Sequence, residues 1–515
     1  MKPYNLSVLP RKAFSLLSSS LAIAIFGVAL TGCGSGSHMA GPPPPVGNTK
    51  VVVLLTSTAN DQLAIFDLSL VSVALTDSTG KSTTIFTSAN RQFGAGIEWM
   101  HLNGAAEPLV TATLPQGTYT AATVTAAGCA FTNVTFAAPN LTTATYDEGL
   151  CGQGTGVTTV NLSSPIVVAG SVMALSLNLQ VPQSFTLNGT GATETYTISP
   201  TFNLTPVSIA AEPTDELNGK VIDVAGQVMS LNMNGSSFIA QTADGISLTL
   251  NTNTSTIFQG IAAFSSLSTN LLVHFDAAIQ SDGSWLATRV EVDDAAATQE
   301  SIGPYSIPAG PAGGFVTLLF QSNGCATSGT PFCNNLFQFT SNTVFDISQQ
   351  FSNVASLPFP ATFNSANFLQ GQNISAFTSG AVNGDNIPIP NTITLVPQTV
   401  NGTVTAVSND AEFRVYTVTL APYDLFPILQ MYAFNLPFPH PADPTTIVVY
   451  ADSSAKFLNS GGMVNVGSLL RFKGLVFFDN GTMRMDAAEV YDGVTESAFL
   501  RRFGATFRRA APAIL

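Results

Sequence analysis

The clearest chemical signature in the chain is Leu30-Thr31-Gly32-Cys33, which directly follows an apolar run. This order is typical of a bacterial lipobox, where a signal peptidase cuts before a cysteine whose thiol already carries diacylglycerol. Basic residues precede the run, and residues 13–30 are apolar apart from four serines, as in an exported leader. The run is too short and too rich in serine for a spanning helix, which needs about 20 apolar residues. We therefore predict a lipoprotein signal peptide over residues 1–32 and a lipidated N-terminus at Cys33.

The residues after Cys33 predict where the lipid holds the protein. Gly34, rather than aspartate, follows the cysteine, which in the sorting rule of Gram-negative lipoproteins directs a protein to the outer membrane. Residues 33–49 are rich in glycine, serine and proline and contain few side chains that could be buried, so they are typical of a tether. We expect a cell-envelope protein that is anchored to the outer membrane through Cys33.

The other four cysteines fall into two local pairs. An even number of cysteines in an exported protein predicts disulfides rather than free thiols. A metal site is the competing use, but no Cys-x-x-Cys spacing occurs and no histidine is near either pair. The predicted bridges join Cys129 to Cys151 and Cys325 to Cys333.

No set of residues at a fixed spacing indicates catalysis. The chain lacks HExxH, GxSxG and the phosphate-binding glycine loop, each of which needs a defined spacing to align its groups. Three aspartates lie at predicted hairpin turns, where a calcium site or a glycosidase carboxylate pair is the alternative to ordinary turn chemistry. The histidines and these aspartates are His38, His101, His274, His440, Asp244, Asp282 and Asp479. We predict no catalytic residues, no metal and no cofactor.

One aromatic segment is a candidate contact surface. It lies in a long predicted loop near the C-terminal end, where exposed aromatic side chains would form a binding surface. The alternative to an exposed surface is a lid that packs over the end of a barrel. Its residues are Tyr423, Phe426, Tyr432, Phe434 and Phe438.

The elements that must position these residues are predicted to be strands. Apolar residues alternate with polar ones from Met173 to Val181 and again from Val110 to Leu114, which is the period of a half-buried strand. Short strands of this kind, separated by turn signals over residues 50–212, predict an antiparallel β-sandwich.

A weak internal repeat begins near residue 217. Asn-Gly lies within two similar strands, Leu217–Val224 and Val400–Val407. Two further patterns recur three times, each a strand that runs into a phenylalanine. The first is Thr254–Phe258, Ser341–Phe345 and Ser453–Phe457, and the second is Leu272–Phe275, Ile374–Phe377 and Leu469–Phe472. Asp-Gly and Asn-Gly pairs indicate type I′ hairpins, which need positive φ at both central residues.

The predicted fold is therefore all-β, with an N-terminal antiparallel β-sandwich followed by three small β-barrel-like repeats. The predicted parts are the signal peptide (1–32), the tether (33–49), the sandwich (50–212), barrel repeats at 213–298, 299–398 and 399–494, and a basic C-terminal tail (495–515). In the tail, arginines flank phenylalanines at helical spacing. Three interpretations fit this pattern: a helix that binds an anionic lipid surface, a helix docked on the barrels, and a frayed end.

Two bacterial families of unknown function resemble this chain. Residues 50–210, with Leu114-Pro-Gln-Gly-Thr-Tyr119 and Tyr196–Phe202, resemble the N-terminal sandwich domain of many bacterial lipoproteins. The later repeats resemble a small β-barrel module that is often repeated in secreted bacterial proteins. The middle repeat departs most, because Ile302-Gly-Pro-Tyr305 lacks the Asn-Gly opening. Neither resemblance implies catalytic residues.

Composition limits the partners. The chain has 31 acidic and 17 basic residues, and three of the basic ones precede Cys33, leaving 14 basic against 31 acidic, a net charge of −17. Nucleic acid is therefore an unsuitable partner, because binding phosphates requires clustered Lys and Arg. We expect a non-enzymatic protein that binds an envelope or extracellular ligand, or acts as a scaffold. The alternative is an extracytoplasmic hydrolase with a dispersed active site.

Overall fold

A computed structural model of the chain describes residues 47–58, 63–88, 95–99, 101–102, 104–136, 144–151, 156–188, 195–209, 219–306, 315–317, 321–323, 336–348, 354–421, 426, 440–457 and 464–492. The predicted signal peptide, most of the tether and the basic tail lie outside these residues. Almost all of the elements are strands, which confirms the all-β fold.

The N-terminal module is a sandwich of two main sheets and a small hairpin. Its elements are β1 (Asn48–Ser57), β2 (Leu63–Asp77), β3 (Ser82–Thr87), β4 (Ala95–Glu98), β5 (Glu107–Pro115), β6 (Gly117–Phe136), β7 (Ala144–Cys151), β8 (Gly156–Val160), β9 (Ile166–Val168), β10 (Val172–Leu179), the short helix α1 (Val181–Ser184), β11 (Phe185–Asn188), β12 (Thr195–Ile198) and β13 (Phe202–Val207). One sheet has the order β13-β10-β1-β5, and the other is built around β2 and β6, with β3, β4, β7, β8 and β9 beside them.

The sandwich differs from the prediction in one pairing. Strands β1 and β10 pair in parallel, with Lys50 opposite Val172, so the first sheet is mixed rather than antiparallel. Strand β1 is also buried on both faces. Val51, Val53 and Leu55 lie in the sandwich core, whereas Val52 and Leu54 pack into the core of the next module. This double burial explains the uninterrupted apolar run, since a strand with two covered faces needs no polar alternation.

The first and third repeats are closed barrels of the same topology. The first contains β14 (Lys220–Asn232), β15 (Ser237–Thr242), β16 (Ser247–Asn251), β17 (Ile257–Gln259), β18 (Leu272–Ile279) and β19 (Trp285–Glu291). Its order is β16-β15-β14-β18-β19, and a parallel pairing of β16 with β19 closes the ring. This closed five-stranded barrel has the strand order of an OB-fold.

The second repeat keeps the order of the first without a full closing strand pair among the described residues. It contains β20 (Gln299–Ser306), β21 (Phe315–Thr317), β22 (Gln321–Asn323), β23 (Leu336–Phe337), β24 (Val344–Ile347), β25 (Asn373–Val382) and β26 (Pro388–Leu395). At the position where the ring closes in the first repeat, the Gln338 amide donates a hydrogen bond of 3.0 Å to the Pro388 carbonyl.

The third repeat contains β27 (Gln398–Asp410), β28 (Phe413–Leu420), β29 (Thr446–Ala451), β30 (Lys456–Phe457), β31 (Leu469–Asp479) and β32 (Thr482–Asp492). Strands β29 and β32 pair in parallel and close this ring.

The first phenylalanine pattern marks equivalent positions in all three repeats. Phe258 lies opposite Val290, Phe345 opposite Ile393 and Phe457 opposite Val490, each in a short parallel pairing with the last strand of its repeat.

The second pattern holds only twice. Phe275 and Phe472 lie opposite Val290 and Val490, but in the second repeat Ala376 lies opposite Ile393.

Phe377 is therefore offset by one residue from Phe275 and Phe472. Because a one-residue offset moves a side chain to the other face of its strand, Phe377 leaves the core of its own repeat. It packs instead with Leu272 and Ala297 of the preceding repeat.

The hairpin turns also differ in detail from the prediction. Asn480 and Gly481 both have positive φ, at 47° and 81°, as a type I′ turn requires. At the Asp-Gly pairs 244–245 and 282–283 only the glycines, Gly245 and Gly283, have positive φ.

The register of β6 and β7 bears on the first predicted disulfide. It places Cys129 directly opposite Cys151. Opposed Cα atoms of an antiparallel pair are about 4.5–5.5 Å apart, which a disulfide can span.

Peptide mapping under non-reducing conditions should link Cys129 to Cys151. It should also link Cys325 to Cys333, which lie outside the described residues. A crossed pairing between the two sets would contradict the prediction.

Candidate functional site

Most of the predicted site residues lie outside the described part of the chain. This holds for Cys33, Cys325 and Cys333, and for Tyr423, Tyr432, Phe434 and Phe438 of the aromatic segment. Phe426 is described, and it is buried, as the alternative of a lid packed over the barrel end predicts for this segment. It is 5% exposed and packs in the core of the third barrel, because its ring fills space beside the barrel's apolar strands.

Two buried ionic clusters stand out, and both lie at contacts between modules. The first, here called the His101 cluster, consists of Glu98, His101, Glu107 and Asp244. The second, called the Arg289 network, contains Asp223, His274, Asp276, Arg289, Glu291 and Glu300.

Trp99 positions the His101 cluster. Its side chain is fully buried in the sandwich, and its indole N–H donates a hydrogen bond of 3.2 Å to the Leu68 carbonyl. The hydroxyl of Ser57 donates to the Trp99 carbonyl at 2.6 Å, which ties the segment to β1. His101 follows in a turn, and Glu107 begins β5. The fourth residue, Asp244, comes from the hairpin between β15 and β16 of the first barrel.

The His101 imidazole lies between two carboxylates. Its Nδ1 is 3.1 Å from Glu98 Oε2, and its Nε2 is 3.0 Å from Glu107 Oε1. Glu98 is itself held by the backbone, because it accepts hydrogen bonds of 2.9 Å from the amides of Phe66 and His101. An imidazole nitrogen of His101 and carboxylate oxygens of Glu107 and Asp244 all lie within 4.8 Å of one another.

The electrostatics of this cluster are dominated by crowded carboxyl groups. Burial and the nearby Glu107 raise the pKa of Asp244 well above its usual value. Asp67 lies close by, and burial and Glu98 raise its pKa in the same way. Burial alone lowers the pKa of His101, but Glu107 and Glu98 outweigh it and raise that pKa well above its usual value. The cluster therefore favours any added positive charge.

The Arg289 network is built on the first barrel. Arg289 on β19 lies opposite Asp276 on β18, and Nε and Nη2 of the guanidinium donate to the two carboxylate oxygens at 2.9 and 3.0 Å. Arg289 also contacts Glu291, two residues further along the strand. A bulge in β14 gives Asp223 a φ of 57° and turns it toward the network, where its amide donates to Asp276 at 2.8 Å. Aspartate tolerates this left-handed conformation better than most residues do.

His274 links this network to the second repeat. Its Nδ1 is 3.1 Å from Asp223 Oδ1, and its Nε2 is 2.6 Å from Glu300 Oε1 on β20. Glu300 is fully buried, and the hydroxyl of Ser375 on β25 donates to the same carboxylate. Burial lowers the pKa of His274, but Glu300 and Asp223 outweigh it and raise that pKa well above 6.5. His274 and Arg289 in turn hold the pKa of Asp223 well below its usual value, against the effect of burial.

The sequence analysis missed both clusters. For the His101 cluster the sequence contained a local sign, because Glu98, His101 and Glu107 are close in sequence. No sequence signal pointed to Asp244 beyond its hairpin turn. The two other hairpin aspartates have ordinary local partners: Asp282 accepts from the Ser284 amide at 2.9 Å, and the buried Asp479 pairs with Arg484 at 2.9 Å.

Comparisons with known proteins add no name to this site. No protein-family model matches the chain, and no curated protein matches it. Within the described residues, none of the helices has the length and apolar character to cross a membrane.

Proposed function

We propose that the chain is a lipid-anchored cell-envelope protein whose β-modules act together as a binding or scaffolding unit. The observation that carries this proposal is that apolar cores continue across each contact between neighbouring modules. Modules with small polar contacts move relative to one another, whereas large apolar contacts hold them in place. A scaffold needs binding surfaces whose relative positions do not change, and such contacts between modules provide them.

The contact between the sandwich and the first barrel is built from apolar side chains of both modules. Val52, Leu54 and Ala174 of the sandwich pack into the barrel core, and Ile246 of the barrel packs into the sandwich core. At its edge, the ammonium group of Lys50 donates to the Asp282 carbonyl at 2.7 Å.

The first and second repeats share a small apolar contact beside the His274–Glu300 pair. Leu272, Ala297 and Phe377 form one part of it, and Ala225, Ile302 and Val396 form the other. Together with the buried ion pair, these side chains leave little room for independent rotation of the two repeats.

The second and third repeats share one core. The ring centroid of Phe359 in the second repeat lies 4.9 Å from that of Tyr450, in a tilted arrangement, and 5.8 Å from that of Phe477, in an edge-on arrangement. The side-chain amide of Gln372 donates to the Val476 carbonyl at 2.8 Å, and both groups are buried. An apolar contact thus joins each pair of neighbouring modules along the chain.

The anchoring part of the proposal rests on the lipobox and is tested at Cys33. Radiolabelled palmitate should enter the wild-type protein, and the protein should fractionate with membranes. The Cys33→Ser variant should take up no label and should accumulate as precursor or be released. A Cys129→Ser variant is the matched control and should be labelled normally. Labelling of the Cys33→Ser protein would contradict the proposal.

The scaffolding part is tested against the hydrolase alternative. The purified mature protein should turn over none of a broad panel of ester, glycoside and peptide substrates. Turnover that a single Asp, Glu or Ser substitution abolishes would contradict a non-enzymatic role.

A further inference from the structure

We propose that His101, Glu107 and Asp244 bind a divalent transition-metal ion such as Zn²⁺, which joins the sandwich to the first barrel. This site goes beyond the scaffolding function and does not depend on lipid anchoring. Two ligands come from the sandwich and the third from the barrel hairpin, so the ion would cross-link two modules.

The spacing of the ligand atoms suits a metal ion after a small adjustment, in which the His101–Glu107 pair separates by about 0.3 Å. Nε2 of His101 and Oε1 of Glu107 are 3.0 Å apart. Two ligands of a tetrahedral zinc ion with bonds of about 2.0 Å are separated by about 3.3 Å. The third ligand, Asp244, brings all three donor atoms within 4.8 Å of one another.

The second ring nitrogen of His101, Nδ1, already has the kind of partner that metal-binding histidines use. A histidine that binds metal through one nitrogen usually donates its second N–H to a carboxylate, which fixes its orientation. Nδ1 of His101 has such a partner in Glu98 Oε2 at 3.1 Å, and Glu98 is only 3% exposed. Two backbone amides hold Glu98 in place, so Glu98 is a positioning residue for the proposed site.

Asp244 supplies a second, independent sign of a ligand. The residue is 9% exposed, and its Oδ2 has no hydrogen-bond partner among the residues that the structure describes. Leaving a buried carboxylate oxygen without a partner is unfavourable. A cation between Asp244, Glu107 and His101 would satisfy that oxygen and offset the charge of neighbouring carboxylates.

The donor set selects the class of ion. Imidazole nitrogen combined with carboxylate oxygen suits zinc and related transition metals. Calcium prefers six to eight oxygen ligands, which one histidine and two carboxylates do not offer. The His101 side chain is 14% exposed, so solvent reaches the site and an ion can enter.

The test measures metal binding to the whole mature chain. The protein used begins at residue 33 and carries Cys33→Ser, and its free thiols are alkylated. A chelator removes bound metal, and the protein is then titrated with Zn²⁺ by calorimetry. We expect one Zn²⁺ ion per chain and an increase in melting temperature on binding. Asp244→Asn and Glu107→Gln should each weaken binding at least about tenfold, and Glu98→Gln should weaken it by about 10–100-fold.

A matched control separates this site from general effects of the substitutions. Asp282→Asn changes another hairpin aspartate of the same barrel and should leave zinc affinity unchanged. The proposal is overturned if the wild-type chain does not bind Zn²⁺, if the three variants bind it as the wild type does, or if Ca²⁺ binds more tightly.

Discussion

Arg289→Met is expected to lower the free energy of unfolding of the first barrel by about 3–5 kcal/mol, the usual effect of removing one partner from a buried ion pair. The guanidinium is only 8% exposed and contacts three carboxylates, on Asp223, Asp276 and Glu291. Methionine fills a similar volume but removes the cation that these three carboxylates share. The loss therefore comes from unpaired buried charge rather than from a cavity.

The measurement must isolate one module, because several modules need not unfold together. Hydrogen exchange of peptides from β18 and β19, followed by mass spectrometry over a series of urea concentrations, reports on the first barrel alone. Arg414→Met is the matched control: it changes an exposed arginine on a strand of the third barrel and should shift stability by about 1 kcal/mol or less. A loss below about 1 kcal/mol for Arg289→Met would show that the network does not stabilise the barrel.

His274→Gln is expected to destabilise the contact between the first two repeats in a pH-dependent way. The folded pKa of His274 is raised well above 6.5, so the imidazolium is stabilised by folding. A raised histidine pKa contributes its full stability below the unfolded pKa and loses it as the pH rises through the folded pKa. The difference between wild type and variant should therefore be largest near pH 6 and shrink toward alkaline pH.

The pH experiment compares differences rather than absolute stabilities. Both proteins retain the raised pKa of His101, so its contribution cancels in the comparison. Stability is followed by hydrogen exchange in β20 and β25 between about pH 5 and about pH 9, the range over which the histidine loses its proton. His440→Gln replaces a histidine outside this contact and should leave hydrogen exchange in β20 and β25 unchanged. A difference for His274→Gln that stays constant with pH would mean that its charge does not support the contact.

The sequence by itself determined the class of fold and the positions of several strands. Alternation from Met173 onward predicted β10, and Asn480-Gly481 predicted the hairpin between β31 and β32. The recurrence of Phe258, Phe345 and Phe457 predicted equivalent positions, and each of the three lies in a short parallel pairing with a later strand. These features depend on local periodicity and turn geometry, which neighbouring residues encode.

Only the tertiary structure decided which face each side chain occupies at a contact between modules. Phe377 matched Phe275 in sequence pattern, yet a one-residue offset turns it toward the preceding repeat. Phe426 lies in a segment whose composition suggested exposure, but it packs into a barrel core. Periodicity within one strand says how residues alternate but does not say what covers each face.

The contacts that complete the two ionic clusters could not be predicted from the sequence for the same reason. Asp244 meets His101, and His274 meets Glu300, only because separate modules pack against each other in one orientation. Burial then changes the chemistry of these groups, since the loss of water strengthens every charge interaction between them. Residue types that predict ordinary turns and strands thus become coupled charged sites once the modules are assembled.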